Sequence, residues 1–264
     1  MTMTALIDAD ILAYEIGFAA QKKIDNEIFP IPVEEVNQLV DNKIKEICAA
    51  VYATEPPKLF LTGKGNFRHN IAKQQEYKGG RKAVKPFHWS YIRHYMVATW
   101  GAVVVDGMEA DDALAIEQMK HLKDRNTIIC SRDKDLRQIP GYTYTWECGK
   151  QGSFGPEWVD DIGWLKLKGP KKVIGTGLKF FYSQVLTGDS TDTYGGLPGC
   201  GPIRAFAILN ECKTDEEMYN VVLEAYTFKY GEEAEERLLE QGRLAWMVRS
   251  LREDGTPVLW REEV

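Results

Sequence analysis

Cysteine is sparse: Cys48, Cys130, Cys148, Cys200 and Cys212 are scattered through 264 residues, odd in number and without a C-x-x-C pair. Neither a zinc site nor a disulfide framework is indicated, which fits a reducing cytoplasm. His69, His88, His94 and His121 show no zinc spacing, and no Ser/His/Asp or Cys/His set stands out. No apolar run approaches the roughly 20 residues of a membrane span, so no membrane partner is expected. The opening Met1-Thr-Met-Thr-Ala-Leu-Ile-Asp8 has no basic stretch and meets an acid at once, so no signal peptide is expected. No Walker loop occurs, which argues against ATP hydrolysis. No internal repeat is found.

What is present is ordinary in bulk. Apolar residues make up 44% and charged residues 27%, as in a globular protein. The length allows one large domain or two modest ones. A net charge of −6 weighs against a nucleic-acid partner unless the charge is segregated. Residues 63–85 segregate it. Lys64, Arg68, Lys73, Lys78, Arg81, Lys82 and Lys85 stand there against Glu76 alone, with Phe67 and Tyr77 interleaved. Basic and aromatic residues on one segment suit a phosphate backbone and stacked bases. The plainer alternative is a solvated lysine-rich loop.

The periodicity predicts a short buried strand at 4–10, an amphipathic helix at 33–53 and a strand at 58–61. A helix bearing Trp89, Ile92, Met96 and Trp100 follows, then a strand at 102–105, a helix from Glu109 and a strand at 126–131. This alternation predicts a mostly parallel sheet with flanking helices. Tyr142–Trp146 suggests an edge strand, and 140–172 a domain boundary. Beyond Lys213 helices are expected to about Leu251, with Glu232, Glu233, Glu235, Glu236 and Glu240 on a solvated face. Thr256–Trp260 is an extended tail.

The acids form four groups: Asp8/Asp10, Glu109/Asp111/Asp112, Asp133/Asp135 and Asp189/Asp192. Alone, Glu109-Ala-Asp-Asp112 favours an ordinary helix start, where carboxylates suit the dipole. Three of the groups follow short strands, however, and one sheet edge can gather them. So many carboxylates need counter-charge. Mg²⁺ or Mn²⁺ supplies it, since hard cations take oxygen ligands. Two such ions activate a water and stabilise the leaving oxygen of a phosphodiester. The Gly196–Gly201 turn opens a helix at Pro202, a placement that presents backbone N–H groups to phosphate.

At these residues the chain resembles the structure-specific 5′ nucleases. That family includes phage 5′→3′ exonucleases, the 5′-nuclease domain of bacterial DNA polymerase I and flap endonucleases. Leu6-Ile-Asp-Ala-Asp-Ile-Leu-Ala-Tyr14 is similar to its first strand and metal aspartate. Phe67-Arg-His69 with Tyr77-Lys-Gly-Gly-Arg81 resembles its phosphate-contacting segment. Glu109-Ala-Asp-Asp112 and Asp133-Lys-Asp-Leu136 match its E-A-D-D and D-K-D-L. Thr187-Gly-Asp-Ser-Thr-Asp192 and Leu197-Pro-Gly-Cys-Gly-Pro202 resemble its G-D-x-x-D and Gly-rich hairpin. The motifs keep the family's order over about residues 5–212.

The resemblance implies a PIN-like α/β catalytic domain over 1–175, with a short arch segment at about 63–100. A helical duplex-binding region with a helix–three-turn–helix module would cover 176–264. Asp8, Glu109, Asp111 and Asp133 would hold one ion, with Asp112 in the set as a ligand or as a group orienting one. Asp135, Asp189 and Asp192 would hold the second. Lys78 and Arg81 would steer the scissile phosphate. Lys64, Phe67, Arg68, Tyr77 and Lys82, with Gly196, Gly199 and Gly201, would contact nucleic acid, and K⁺ would sit on the 196–201 carbonyls. The implied partner is DNA with a 5′ end, nick, gap or flap. An RNA–DNA hybrid and a replication polymerase are further candidates. A cytoplasmic monomer is expected, in the host cytoplasm for a phage-encoded chain. Three departures stand out. Leu61-Thr62-Gly63 occupies the end of the second strand, where the family has an aspartate, and Asp10 is an extra acid that would compensate for it. The hairpin Pro198-Gly-Cys-Gly-Pro202 lacks the family's longer G-x-x-G-I-G form. The arch segment is short, which bears on threading of a free 5′ end. Two other readings remain: a phosphatase using Asp8 as nucleophile, and a catalytically silent nucleic-acid-binding relative.

Overall fold

The structure is a computed structural model that describes residues 2–80 and 84–262. In chain order its elements begin with β1 (Thr4–Asp8), α1 (Ala9–Ala19), β2 (Gln21–Ile24), β3 (Glu27–Pro30), α2 (Val33–Ala50) and β4 (Lys58–Thr62). Next come α3 (Arg68–Ile71), α4 (Trp89–Trp100), β5 (Val103–Val105), α5 (Ala110–Lys120) and β6 (Thr127–Cys130). After a 3₁₀ turn at Asp135–Gln138 lie β7 (Gly141–Thr145), β8 (Phe154–Val159), β9 (Leu165–Leu167) and β10 (Val173–Gly175). Helices α6 (Gly177–Thr187), α7 (Pro202–Leu209), α8 (Asp215–Tyr230) and α9 (Ala234–Ala245) complete the chain.

The chain forms two compact units. Among the described residues, the first comprises 2–65, 84–134 and 141–158, and the second 66–80, 135–140 and 159–262. The expected single cut after residue 175 is therefore replaced by an interleaved division. The reason lies in buried side chains of the early segments. Arg68 donates from Nε to the Leu244 carbonyl at 3.2 Å and from Nη2 to the Trp246 carbonyl at 2.6 Å. Gln138 Nε2 donates to the Ala245 carbonyl at 3.1 Å. These carbonyls at the end of α9 would otherwise lack intrahelical donors. The helix stops at Ala245 rather than near Leu251, and Trp246 is extended.

The first unit is built on the sheet order β5-β4-β1-β6-β7-β8, parallel from β5 through β7. Its central strands are apolar because both faces are covered. Ala5, Leu6 and Ile7 of β1 and Ile129 and Cys130 of β6 have no exposed surface. β7 is interior, not the expected edge strand: β8 flanks it, and Trp158 packs edge-on to Tyr142 at 5.0 Å. The hairpin β2–β3 turns at Asp25 and Asn26, whose φ values of 49° and 68° fit a two-residue loop of the primed type. Sequence periodicity did not signal it.

The second unit is helical apart from the antiparallel pair β9–β10. Every residue of α6 from Gly177 to Leu186 is buried. Phe181 is ringed by Tyr182, Trp246 and Trp260 at 5.0–5.4 Å. Glu240, expected on a solvated face, is buried instead. Its Oε1 accepts the amides of Lys73 and Gln74 at 2.8 and 2.9 Å.

Candidate functional site

In the first unit, parallel pairing brings the carboxyl ends of four strands to one edge. Asp8 closes β1 opposite Phe60, Thr62 closes β4 opposite Val105, and Ile7 stands opposite Cys130 at the end of β6. The residues that follow each strand therefore meet there: Asp10, Glu109, Asp111, Ser131 and Asp133. Ligand sites of open α/β sheets form at such edges.

Asp8 is buried at the end of β1. It caps α1, with Oδ1 accepting the Ile11 amide at 3.2 Å, and Oδ2 accepts the Ser131 hydroxyl at 2.7 Å. Burial and the neighbouring Asp10 charge push its carboxyl up to about 6, against the pull of those hydrogen bonds. Ser131 also accepts the Asp133 amide at 2.9 Å, so one hydroxyl ties the two acids. Arg132, between them, donates to Glu15 at 3.2 Å, and Glu15 also accepts the Trp146 indole N–H at 2.9 Å. The loop carrying Asp133 is thus pinned from both sides.

Glu109 is the N-cap of α5 and forms a capping box with Asp112. Asp112 has no exposed surface, and its Oδ2 accepts the Glu109 amide at 3.2 Å. It shapes the helix start that presents Glu109 and Asp111. The Ala110 amide, one residue on, donates to Thr62 Oγ1 at 2.9 Å. Thr62 in turn gives its amide to Asp10 Oδ2 at 2.8 Å, and Arg93 bonds both Asp10 and the Thr62 carbonyl. Ser131, Thr62 and Arg93 were not singled out by sequence. Ser131 could have been, as the hydroxyl between a strand end and D-K-D. Nothing local marks Arg93, which reaches the edge from the middle of α4.

In the second unit Asp135 opens the 3₁₀ turn and is buried. Gln184 Nε2, from α6, donates to its Oδ1 at 2.5 Å. The Gln184 side-chain oxygen is buried without a hydrogen-bond partner among the described residues. Asp189 exchanges backbone bonds with Tyr194 at 2.9 and 3.2 Å, and its Oδ1 accepts the Thr191 amide at 2.7 Å. This narrow loop brings Asp192 to Lys78. The Lys78 amide donates to the Asp192 carbonyl at 3.1 Å, and Nζ lies 3.7 Å from Oδ1. Lys78 has a φ of 56°, an uncommon left-handed conformation for a residue with a side chain.

Several residues expected to contact nucleic acid lie elsewhere. Arg68 has no exposed surface and Tyr77 is 2% exposed, within the helical core. Neither presents itself to a nucleic-acid strand, because both satisfy the interior of the second unit. The Gly196 amide is spent on Gln241 Oε1 at 2.9 Å. A Cβ there would lie 2.3 Å from the Gly188 nitrogen, so Gly196 serves close backbone packing and does not present its N–H to phosphate. Gly199 and Gly201 are exposed beside α7, Phe67 is half-buried, and Lys64 is exposed on a loop held by Asp106. Arg81 and Lys82 lie outside the described residues.

The donors are all hard oxygens, which fits Mg²⁺ or Mn²⁺. Burial, with the Asp10 charge beside it, disfavours the ionised form of Asp8, a state that a bound cation would relieve. Among the described residues, no group of three or more His, Cys, Asp or Glu side chains stands placed to hold a metal ion. No helix of the described residues is long and apolar enough to cross a membrane.

No protein-family model matches the chain. It is 26% identical to DNA polymerase I of Bacillus subtilis over 246 residues, covering 88% of the chain and 26% of that protein. With DNA polymerase I of Geobacillus stearothermophilus it shares 28% identity over 257 residues, 93% of the chain and 27% of the relative. The chain thus spans about a quarter of the length of these curated relatives. In structure it is similar to the 5′-exonuclease of bacteriophage T5 with bound zinc, at a TM-score of 0.56 and 13% identity, covering 92% of the chain and 99% of that protein. It is also similar to the T5 flap endonuclease in a pseudo-enzyme–product complex with DNA and metal ions, at a TM-score of 0.53 and 14% identity, covering 92% and 98%. The likeness establishes that this chain has the fold of the T5 nucleases.

Proposed function

We propose that this chain is a metal-dependent 5′ nuclease that hydrolyses phosphodiester bonds of DNA by a two-metal mechanism, in replication or repair. The observation that supports it best is the acid edge of a sheet with the T5 fold, where Ser131 links Asp8 to Asp133 beside the Glu109/Asp111 helix start. Asp8, Glu109, Asp111 and Asp133 hold one ion in this reading, and Asp135, Asp189 and Asp192 hold the second. When bound, the ions supply an activated water and stabilise the departing oxygen.

The chain's own groups do the rest. Ser131 and the Ile11 amide keep Asp8 oriented. The capping box aims the first turn of α5. Lys78, countered by Asp192, brings a positive charge to a phosphate, and Lys64 adds a second contact. The exposed Gly199 and Gly201 grip a duplex backbone at the start of α7, with K⁺ on the neighbouring carbonyls. The proposed setting is a cytoplasmic monomer acting beside a replication polymerase.

The test is incubation with 5′- and 3′-labelled duplex, nicked, gapped and flap DNA and an RNA–DNA hybrid, in Mg²⁺, in Mn²⁺ and in EDTA. Mononucleotides from the 5′ end would mean exonuclease action, and one cut near a junction flap endonuclease action. Cleavage that persists in EDTA would reject the metal mechanism. No cleavage with intact duplex binding would favour a silent binding protein.

A further inference from the structure

We infer that Arg93 is a positioning residue of the acid edge, and that it holds Asp10 as a structural clamp, not as a cation ligand. The inference rests on the proposed nuclease reading for its catalytic consequence only. Arg93 reaches from the middle of α4 with both terminal nitrogens used. Nη1 pairs with Asp10 Oδ1, and Nη2 donates to the Thr62 carbonyl at 2.6 Å. Asp10 Oδ2 accepts the Thr62 amide at 2.8 Å. Guanidinium, carboxylate and the peptide groups of Thr62 therefore close a ring, in the fork geometry that arginine supplies and lysine does not. The guanidinium also lies 4.8 Å from the centre of the Trp89 ring, which fixes it from α4 itself.

The ring has a downstream arm. Thr62 Oγ1 accepts the Ala110 amide at 2.9 Å, at the first residue of the helix that presents Glu109 and Asp111. Arg93 thus ties α4, α1, β4 and the start of α5 together. Both Asp10 oxygens are committed, one to a cation of the chain and one to an amide. The side chains of Arg93 and Asp10 are 16% and 26% exposed, so solvent replaces these contacts poorly.

The test combines metal binding, stability and kinetics on the full chain with Arg93→Gln, Arg93→Lys, Asp10→Asn and the Arg93→Gln/Asp10→Asn double variant. In a Mn²⁺ titration of the metal-free protein, Asp10→Asn should keep the wild-type number of ions, with affinity changed less than about threefold. Arg93→Gln strands a carboxylate and should lower Tm by several degrees, on the order of 4 °C. Adding Asp10→Asn should recover part of that loss, and Arg93→Lys should be intermediate. On DNA, Arg93→Gln should lower kcat about tenfold with KM within about threefold, the mark of misplaced groups and not of lost substrate binding. Loss of a Mn²⁺ ion in Asp10→Asn would overturn the clamp. So would strictly additive Tm changes in the double variant, or a rise in KM at unchanged kcat in Arg93→Gln. If the wild type cleaves no DNA, the nuclease reading falls, while the titration and the Tm cycle still decide the role of Arg93.

Discussion

The Ser131 hydroxyl donates to Asp8 at 2.7 Å while its oxygen receives the Asp133 amide at 2.9 Å. One small side chain thus couples the last residue of β1 to the loop after β6. The coupling fixes the Asp8 carboxylate and the backbone of Asp133; if the two hold a cation as proposed, preorganisation of this kind would govern its affinity.

Asp8 should make the metal-free protein less stable as pH rises. Its carboxyl moves from an ordinary 3.8 to about 6, so between these values the folded chain binds the proton more tightly than the unfolded chain. The penalty is absent below about pH 4, grows through pH 6 and is complete above it. Asp8→Asn should therefore stabilise the protein at pH 8 in EDTA, by on the order of 3 kcal/mol at most, and have little effect at pH 4. Urea unfolding at the two pH values measures it. A gain of equal size at both would remove Asp8 ionisation as the cause.

Asp111→Asn and Asp133→Asn should each cut Mg²⁺-dependent cleavage by roughly a hundredfold or more, the scale of several kcal/mol of transition-state stabilisation. Duplex binding should survive, because neither group carries positive charge to a phosphate. Asp25→Asn, in the exposed turn of the β2–β3 hairpin, should change neither. Full activity in either edge variant would remove that residue from the metal set.

Gln184 should matter through Asp135. Its amide N–H₂ is 2.5 Å from one carboxylate oxygen, and its own oxygen is buried without a hydrogen-bond partner among the described residues. Gln184→Leu should weaken one Mn²⁺ site about tenfold while leaving the other intact, the range usual for groups that orient a ligand. Two unchanged sites in a Mn²⁺ titration would show that Asp135 needs no such support.

Much of the first unit could be read from the chain. β1, β4, β5 and β6 alternate with helical periods, and their order leaves few topologies but a parallel sheet. The acids were legible because D-x-D, E-x-D-D and D-K-D follow those strands directly. The long-range partners were not. Arg93 meets Asp10 across 83 positions, and Glu240 meets Lys73 across 167. A solvated glutamate and one that caps two amides look alike in a charge pattern. The basic 63–85 segment misled for the same reason: its composition suits phosphate, yet Arg68 and Tyr77 are interior. The β2–β3 hairpin escaped because all but one of its strand residues are exposed, so no apolar alternation marks it.

Arg68 and Lys64 lie four residues apart in one basic segment and should behave oppositely. Arg68 is fully buried, bonded to the carbonyls of Leu244 and Trp246, and stacked 4.7 Å from the Phe67 ring. Arg68→Ala removes charge-assisted bonds and leaves one buried and one part-buried carbonyl without those donors, at a cost of about 3 kcal/mol. It should lower the urea midpoint sharply, yet leave DNA affinity nearly unchanged where the variant is still folded. Lys64 is exposed, and among the described residues its backbone is bonded by Asp106 and Gly107. Lys64→Ala should leave the urea midpoint within about 0.5 kcal/mol of wild type. It should weaken duplex binding uniformly across sequences and reduce the slope of log affinity against log salt by about one. Anisotropy titrations at several salt concentrations, run beside urea melts, separate the two. A salt slope that falls in Arg68→Ala and not in Lys64→Ala would reverse the assignment and place the phosphate contact on the buried arginine after all.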